Sequence, residues 1–276
     1  MAVAVPRRAS RSSVVLVGAL LALATLSWVL TSRRMAGMDA GPGTDLGTLG
    51  FYVSAWVVMM TAMMAPSISP MVLLYASIQR RRRERGTGER GVSVSAFVAG
   101  YFVTWTAFGL LAYGLFVAVE SLSIDALRWS EGGPYLAGAV LIAAAIYELT
   151  PAKDACLRRC RGPLEFVMEH WREGPVGALR MGSIHGAWCV GCCWGLMATL
   201  FALGVMSITW MVLVAAVIAS QKLLPHPDRI RQATAALLVA LAVGVAVWPS
   251  HVPALTLPSS SQDAHPMQSM DGHDGD

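Results

Sequence analysis

Hydrophobic residues along this chain gather in long unbroken runs and polar residues in the gaps between them, the opposite of the short alternation of a half-buried strand. Seven runs stand out, at about 14–30, 50–78, 94–119, 135–150, 183–206, 208–224 and 232–248. Most approach the roughly 20 residues that a helix needs to cross ~30 Å of hydrocarbon. The pattern predicts an all-α polytopic bundle of about seven transmembrane helices over residues 14–248. It is preceded by a short tail at 1–13 and followed by a polar one at 249–276. The first run follows Arg7, Arg8 and Arg11 but lacks a clear small-residue cleavage site, so it reads as a span and not as a signal peptide.

Composition agrees: 55% of the 276 residues are hydrophobic and only 14% charged, against about a quarter charged in soluble domains. Charge then orients the bundle. The loop QRRRRERGTGERG holds Arg80, Arg81, Arg82, Arg83, Arg85 and Arg90, and the segment before the fifth run holds Lys153, Arg158, Arg159, Arg161, Arg172 and Arg180. Positive residues near spans resist translocation, which predicts the N-terminus inside, the C-terminus outside and a multi-pass location in the cell membrane. Arg33 and Arg34, just beyond the first run, are discordant. Anchoring explains the arginines and the net charge of +4, so the lipid bilayer is the expected partner and nucleic acid is not.

The stretch MGSIHGAWCVGCCWGLM, residues 181–197, opens the fifth run. On a helix, His185, Cys189 and Cys192 fall within an arc of about 60°, and Cys193, at the edge of that face, widens it to about 100°. Thiol, imidazole and the thioether of Met181 on one face form a donor set that Cu(I) favours and hard ions do not. Free cysteine also packs well as a small hydrophobe, and Gly182xxxGly186 and Gly191xxxGly195 suit close helix approach. Packing alone does not explain an ionisable side chain and three thiols on one face.

Two further groups add sulfur. In YELTPAKDACLRRCRGP, Thr150 and Pro151 read as N-cap and first helical residue, which puts Cys156 and Cys160 on one helix face, on the same side of the membrane as the other three thiols. Reducing cytosol disfavours structural disulfides there, and the neighbouring arginines either favour the thiolate or only meet phosphate headgroups. In WVVMMTAMMAPSISPM, Trp56, Met59, Met60, Met63 and Met64 occupy an arc of about 140°, either gap-filling packing or a stripe of soft, uncharged ligands. Pro66 and Pro70 are expected to break that helix. Outside the membrane, Met35, Met38, Asp39, His265, Met267, Met270 and His273 lie in polar segments, the C-terminal one with the composition of a disordered tail.

These blocks, with FALGVMSITWM and QKLLP, resemble the predicted metal-binding integral membrane protein family over about residues 50–225. Some members of that family resemble membrane copper chaperones serving tyrosinase-like oxidases. The resemblance implies a helical membrane domain, a metal site, and copper delivery to a copper-dependent oxidase or other acceptor. Its motif positions here are Met59, Met60, Met63, Met64, Cys156, Cys160, His185, Cys189, Cys192 and Cys193. Where the family pattern has Glu before Lys at the end of the sixth run, this chain has Gln221 before Lys222, so no carboxylate role carries over.

The alternative reading of Cys189-Val-Gly-Cys192 is a membrane thiol–disulfide oxidoreductase. That enzyme needs a second, exposed thiol pair on the oxidising side, and the outer loops hold no cysteine. A structural subunit without chemistry is the third reading. No nucleotide-binding GxxxxGK[ST] and no CxxCH haem site occurs. The expectation is a non-enzymatic Cu(I)-handling membrane protein.

Overall fold

In a computed structural model of the chain, residues 11–35, 48–86, 92–121, 133–204 and 207–247 are described. They form nine helices: α1 (Arg11–Met35), α2 (Leu49–Glu84), α3 (Val92–Ser121), α4 (Gly133–Glu148), α5 (Pro151–Arg161), α6 (Pro163–His170), α7 (Gly174–Leu203), α8 (Ile208–Leu223) and α9 (Pro227–Val247). The tail at 249–276 and the outer Met38, Asp39, His265, Met267, Met270 and His273 lie outside the described residues.

Among the described residues, every predicted run is helical except at its ends. Five helices, α1, α2, α3, α7 and α9, are long and apolar enough to cross a membrane. Counting α4 and α5 as one span bent by 65° makes six, and α8, at 16 residues, is shorter. The chain is a multi-pass membrane protein.

Local chemistry sets the boundaries. The Thr48 hydroxyl accepts from the Phe51 amide at the start of α2. Thr150 does the same for Lys153, with Pro151 as the first helical residue of α5, each satisfying an amide that has no intrahelical partner. The bend between α4 and α5 falls at this cap.

Two boundaries differ from the sequence expectation. First, α2 runs unbroken through Pro66 and Pro70. Pro70 has no N–H for the Pro66 carbonyl, and the Ser69 hydroxyl donates to that oxygen at 2.7 Å, supplying the missing partner. Second, α7 begins at Gly174, with Pro175 in its first turn, nine residues before the fifth apolar run. Cys189 therefore stands near the middle of a 30-residue helix and not at its start.

The core is built around α7, which packs along α3 and also meets α4, α5 and α8. At the α3–α7 crossing the backbones touch. A methyl group on Gly182 would overlap the Phe97 carbonyl, and one on Gly100 the Leu179 carbonyl. Thr104 donates to the Ser183 carbonyl at 3.1 Å and Ser183 to that of Gly100 at 3.2 Å. The two glycine pairs of α7 thus serve different neighbours: Gly182 and Gly186 face α3, Gly191 faces α5 and Gly195 faces α4. Against α3, α2 is tied by the Trp56 indole, which donates to the Trp105 carbonyl at 2.9 Å.

Candidate metal centre

The helical arc expected for α7 converges in space. The sulfur atoms of Cys189, Cys192 and Cys193 all lie within 4.8 Å of one another, and all three side chains are buried. Cys193, which the helix geometry puts at the edge of the face, has its Sγ 3.3 Å from that of Cys192. The Cys192 thiol also donates to the Cys189 carbonyl at 3.1 Å, a local bond that turns it toward the triad.

From α5, Cys160 adds a fourth sulfur 3.7 Å from Cys192 Sγ. Cys156 lies over Gly191, where a Cβ would stand 2.8 Å from its sulfur. Absence of a side chain at Gly191 is what lets α5 come this close. Both α5 cysteines are half-buried, and all five thiols are free.

His185 is buried one turn before Cys189 but is not part of the three-thiol group. Its ring packs among Phe97, Tyr101 and Phe166, the last edge-on at 5.1 Å between centroids. Its Nδ1 has no hydrogen-bond partner. Met59, Met60, Met63 and Met64 are fully enclosed on α2, in the same core as the thiols. That helix packs on α1, α3 and α8. Met181, also enclosed, accepts the Arg172 amide on its sulfur at 3.3 Å.

Two partners of the cluster were not among the expected ligands. Lys222 of α8 donates its ammonium to Cys189 Sγ at 2.8 Å, and the Tyr101 hydroxyl of α3 lies 3.0 Å from the same sulfur. The lysine was detectable as an ionisable residue at the end of an apolar run, a placement that is costly without a role. Tyr101 sits among unremarkable apolar residues and offered no such signal.

None of the three α5 arginines bonds a cluster sulfur directly. Arg158 pairs with Asp154. Arg159 reaches Glu169 at 3.3 Å and its guanidinium lies 4.5 Å over the Trp188 ring. Arg161 donates to the carbonyls of Gln221 and Leu224 at the end of α8. Lys222 is the cation bonded to a cluster sulfur among the described residues.

Beside the thiols, a buried polar network locks α4, α5, α8 and α9 together. Lys153 and Glu148, each 1% exposed, pair at 2.6 Å. Gln221 donates to the other Glu148 oxygen at 3.0 Å and contacts Thr234 at 3.3 Å. Arg231 donates to the Glu148 carbonyl at 2.9 Å and to Asp154 at 3.0 Å. The position where the resemblance leads one to expect a carboxylate is filled by an amide that itself binds a carboxylate.

Clustered sulfur donors with one nearby cation and no carboxylate bonded to them suit a soft, low-charge metal ion. No curated protein and no solved structure matches the chain. The model of the PpoB2 copper chaperone family matches residues 53–245, which take in most of α2, nearly all of α9 and every cysteine of the cluster. With well over half of its length covered, the chain belongs to the PpoB2 copper chaperone family.

Proposed function

We propose that this membrane protein carries copper as Cu(I), holding it at Cys189, Cys192 and Cys193, and passes it to a copper-requiring acceptor. The observation that carries the reading is the convergence of three buried sulfur atoms within 4.8 Å of one another, with a fourth from another helix at 3.7 Å. Thiolate sulfur is the ligand type that selects Cu(I) over harder ions. His185, with its unpartnered Nδ1, is a reserve donor one turn away. Met59, Met60, Met63 and Met64 supply neutral sulfur along the core.

The acceptor is a copper-dependent oxidase, as the resemblance of the motif blocks implies, and the location is the cell membrane. Seven spans with the N-terminus inside account for the distribution of Arg and Lys. Support for the role itself comes from membership of the copper chaperone family.

The test is metal analysis of detergent-purified protein after reconstitution with Cu(I), wild type against the Cys189→Ser, Cys192→Ser, Cys193→Ser triple variant. Copper is expected with the wild type and absent from the triple variant. Equal copper in both would sink the reading.

A further inference from the structure

The five thiols are not equivalent in depth. Cys189, Cys192 and Cys193 are 1–2% exposed, whereas Cys156 and Cys160 are half-buried on a helix whose other face carries the exposed Arg158 and Arg159. The two sets touch at one place, where Cys160 Sγ meets Cys192 Sγ at 3.7 Å. Gly191 leaves room for the pair, because a side chain there would strike the Cys156 sulfur. On α5, moreover, Cys156 and Cys160 are one turn apart, so their sulfurs follow one another along the helix.

A buried thiolate cage binds soft metal well but offers an acceptor protein no sulfur to attack. Ligand exchange needs an incoming donor before an outgoing one departs, and the incoming donor must be reachable from outside. From this gradient of burial we infer that Cys156 and Cys160 form the transfer port of the site, relaying Cu(I) between the buried triad and the acceptor. The inference rests on the copper reading above.

In the exchange, a Cys160–Cu bond forms as a bond to a triad sulfur breaks. The proton lost by the incoming thiol is taken up by the departing thiolate. Copper stays Cu(I) throughout, and no oxidant or reductant is involved. Repetition at Cys156 brings the ion to the outer end of the pair. The port is made by α5 alone, set at 65° to α4 and held by Arg161 on the end of α8.

The experiment loads full-length protein in detergent with Cu(I) and follows transfer to a colorimetric Cu(I) chelator, in the wild type, in Cys156→Ser/Cys160→Ser and in Gly191→Ala. Both variants are expected to keep the wild-type copper stoichiometry while transfer slows by about tenfold or more. The glycine variant retains every thiol and presses on the Cys156 sulfur, so it tests the port even if the double variant folds poorly. A hydrophilic maleimide should label Cys156 of the apoprotein first and the triad last.

Unchanged transfer rates in copper-loaded variants would overturn the port while leaving the copper reading intact. Loss of copper from the double variant would overturn it too, by making these thiols holding ligands. Wild-type protein that takes up no copper would instead remove the reading on which the port depends.

Discussion

Lys222 points its ammonium at Cys189 Sγ across 2.8 Å, and each residue stands fourteen positions from its own helix end at the α7–α8 turn. Two antiparallel helices rising 1.5 Å per residue bring such positions level, about 21 Å from the turn. The lysine is thus set beside the sulfur by hairpin register. A sulfur that bears negative charge when it ligates Cu(I) has in Lys222 a counter-charge inside a region where unpaired charge is costly.

Lys222→Met should therefore weaken Cu(I) retention by about 10–100-fold, the range found when a group supporting metal ligands is removed. Lys222→Arg, which keeps the cation on a bulkier head, should recover part of it. Competition against a chelator of known affinity measures both. Equal affinity in the Met variant would detach the lysine from the site.

Glu148 and Lys153 form the most enclosed ion pair of the described residues. Glu148→Leu leaves the ammonium buried without its partner and should cost about 3–5 kcal/mol of stability. The double replacement Glu148→Leu/Lys153→Met removes both charges and should recover most of that loss. Thermal unfolding in detergent distinguishes the cases, and a double variant no more stable than the single would show that the pair does not act as a unit.

Backbone contact at the α3–α7 crossing makes Gly182 intolerant of substitution. Gly182→Ala must push α3 away and should destabilise by about 1–3 kcal/mol. Gly18→Ala, with nothing within 4 Å of the added carbon, should be neutral or slightly stabilising through helix propensity. The difference between the two melting temperatures is the readout.

Charge distribution predicts topology. A reporter active only outside the cytoplasm should be active when fused after Asp276 and silent when inserted at Gly88. Silence at both positions would contradict seven spans with the N-terminus inside.

Much of this architecture was legible in the sequence, because a bilayer imposes a length on apolar runs that few other pressures produce. The face of Cys189, Cys192 and Cys193 was legible too, since it needs only 100° per residue. What escaped was what depends on distant partners. The first turns of α7 contain Gly174, Pro175, Gly177 and Arg180, too polar and glycine-rich to join an apolar run, although Pro175 is a good first-turn residue. The fates of Arg158, Arg159 and Arg161 depend on Asp154, Glu169, Trp188 and the end of α8, not on the cysteines beside them in sequence. The pairing of Cys160 with Cys192 and of Lys222 with Cys189 required the folded register.

At 16 residues, α8 reaches about 24 Å, short of the ~30 Å of hydrocarbon. If α8 spans the bilayer as the seven-span proposal has it, its last turn, with Gln221 and the Lys222–Cys189 contact, would lie about 6 Å inside the level of the surrounding headgroups. The dielectric barrier to an ion would then be thinner at the thiols than through the rest of the membrane.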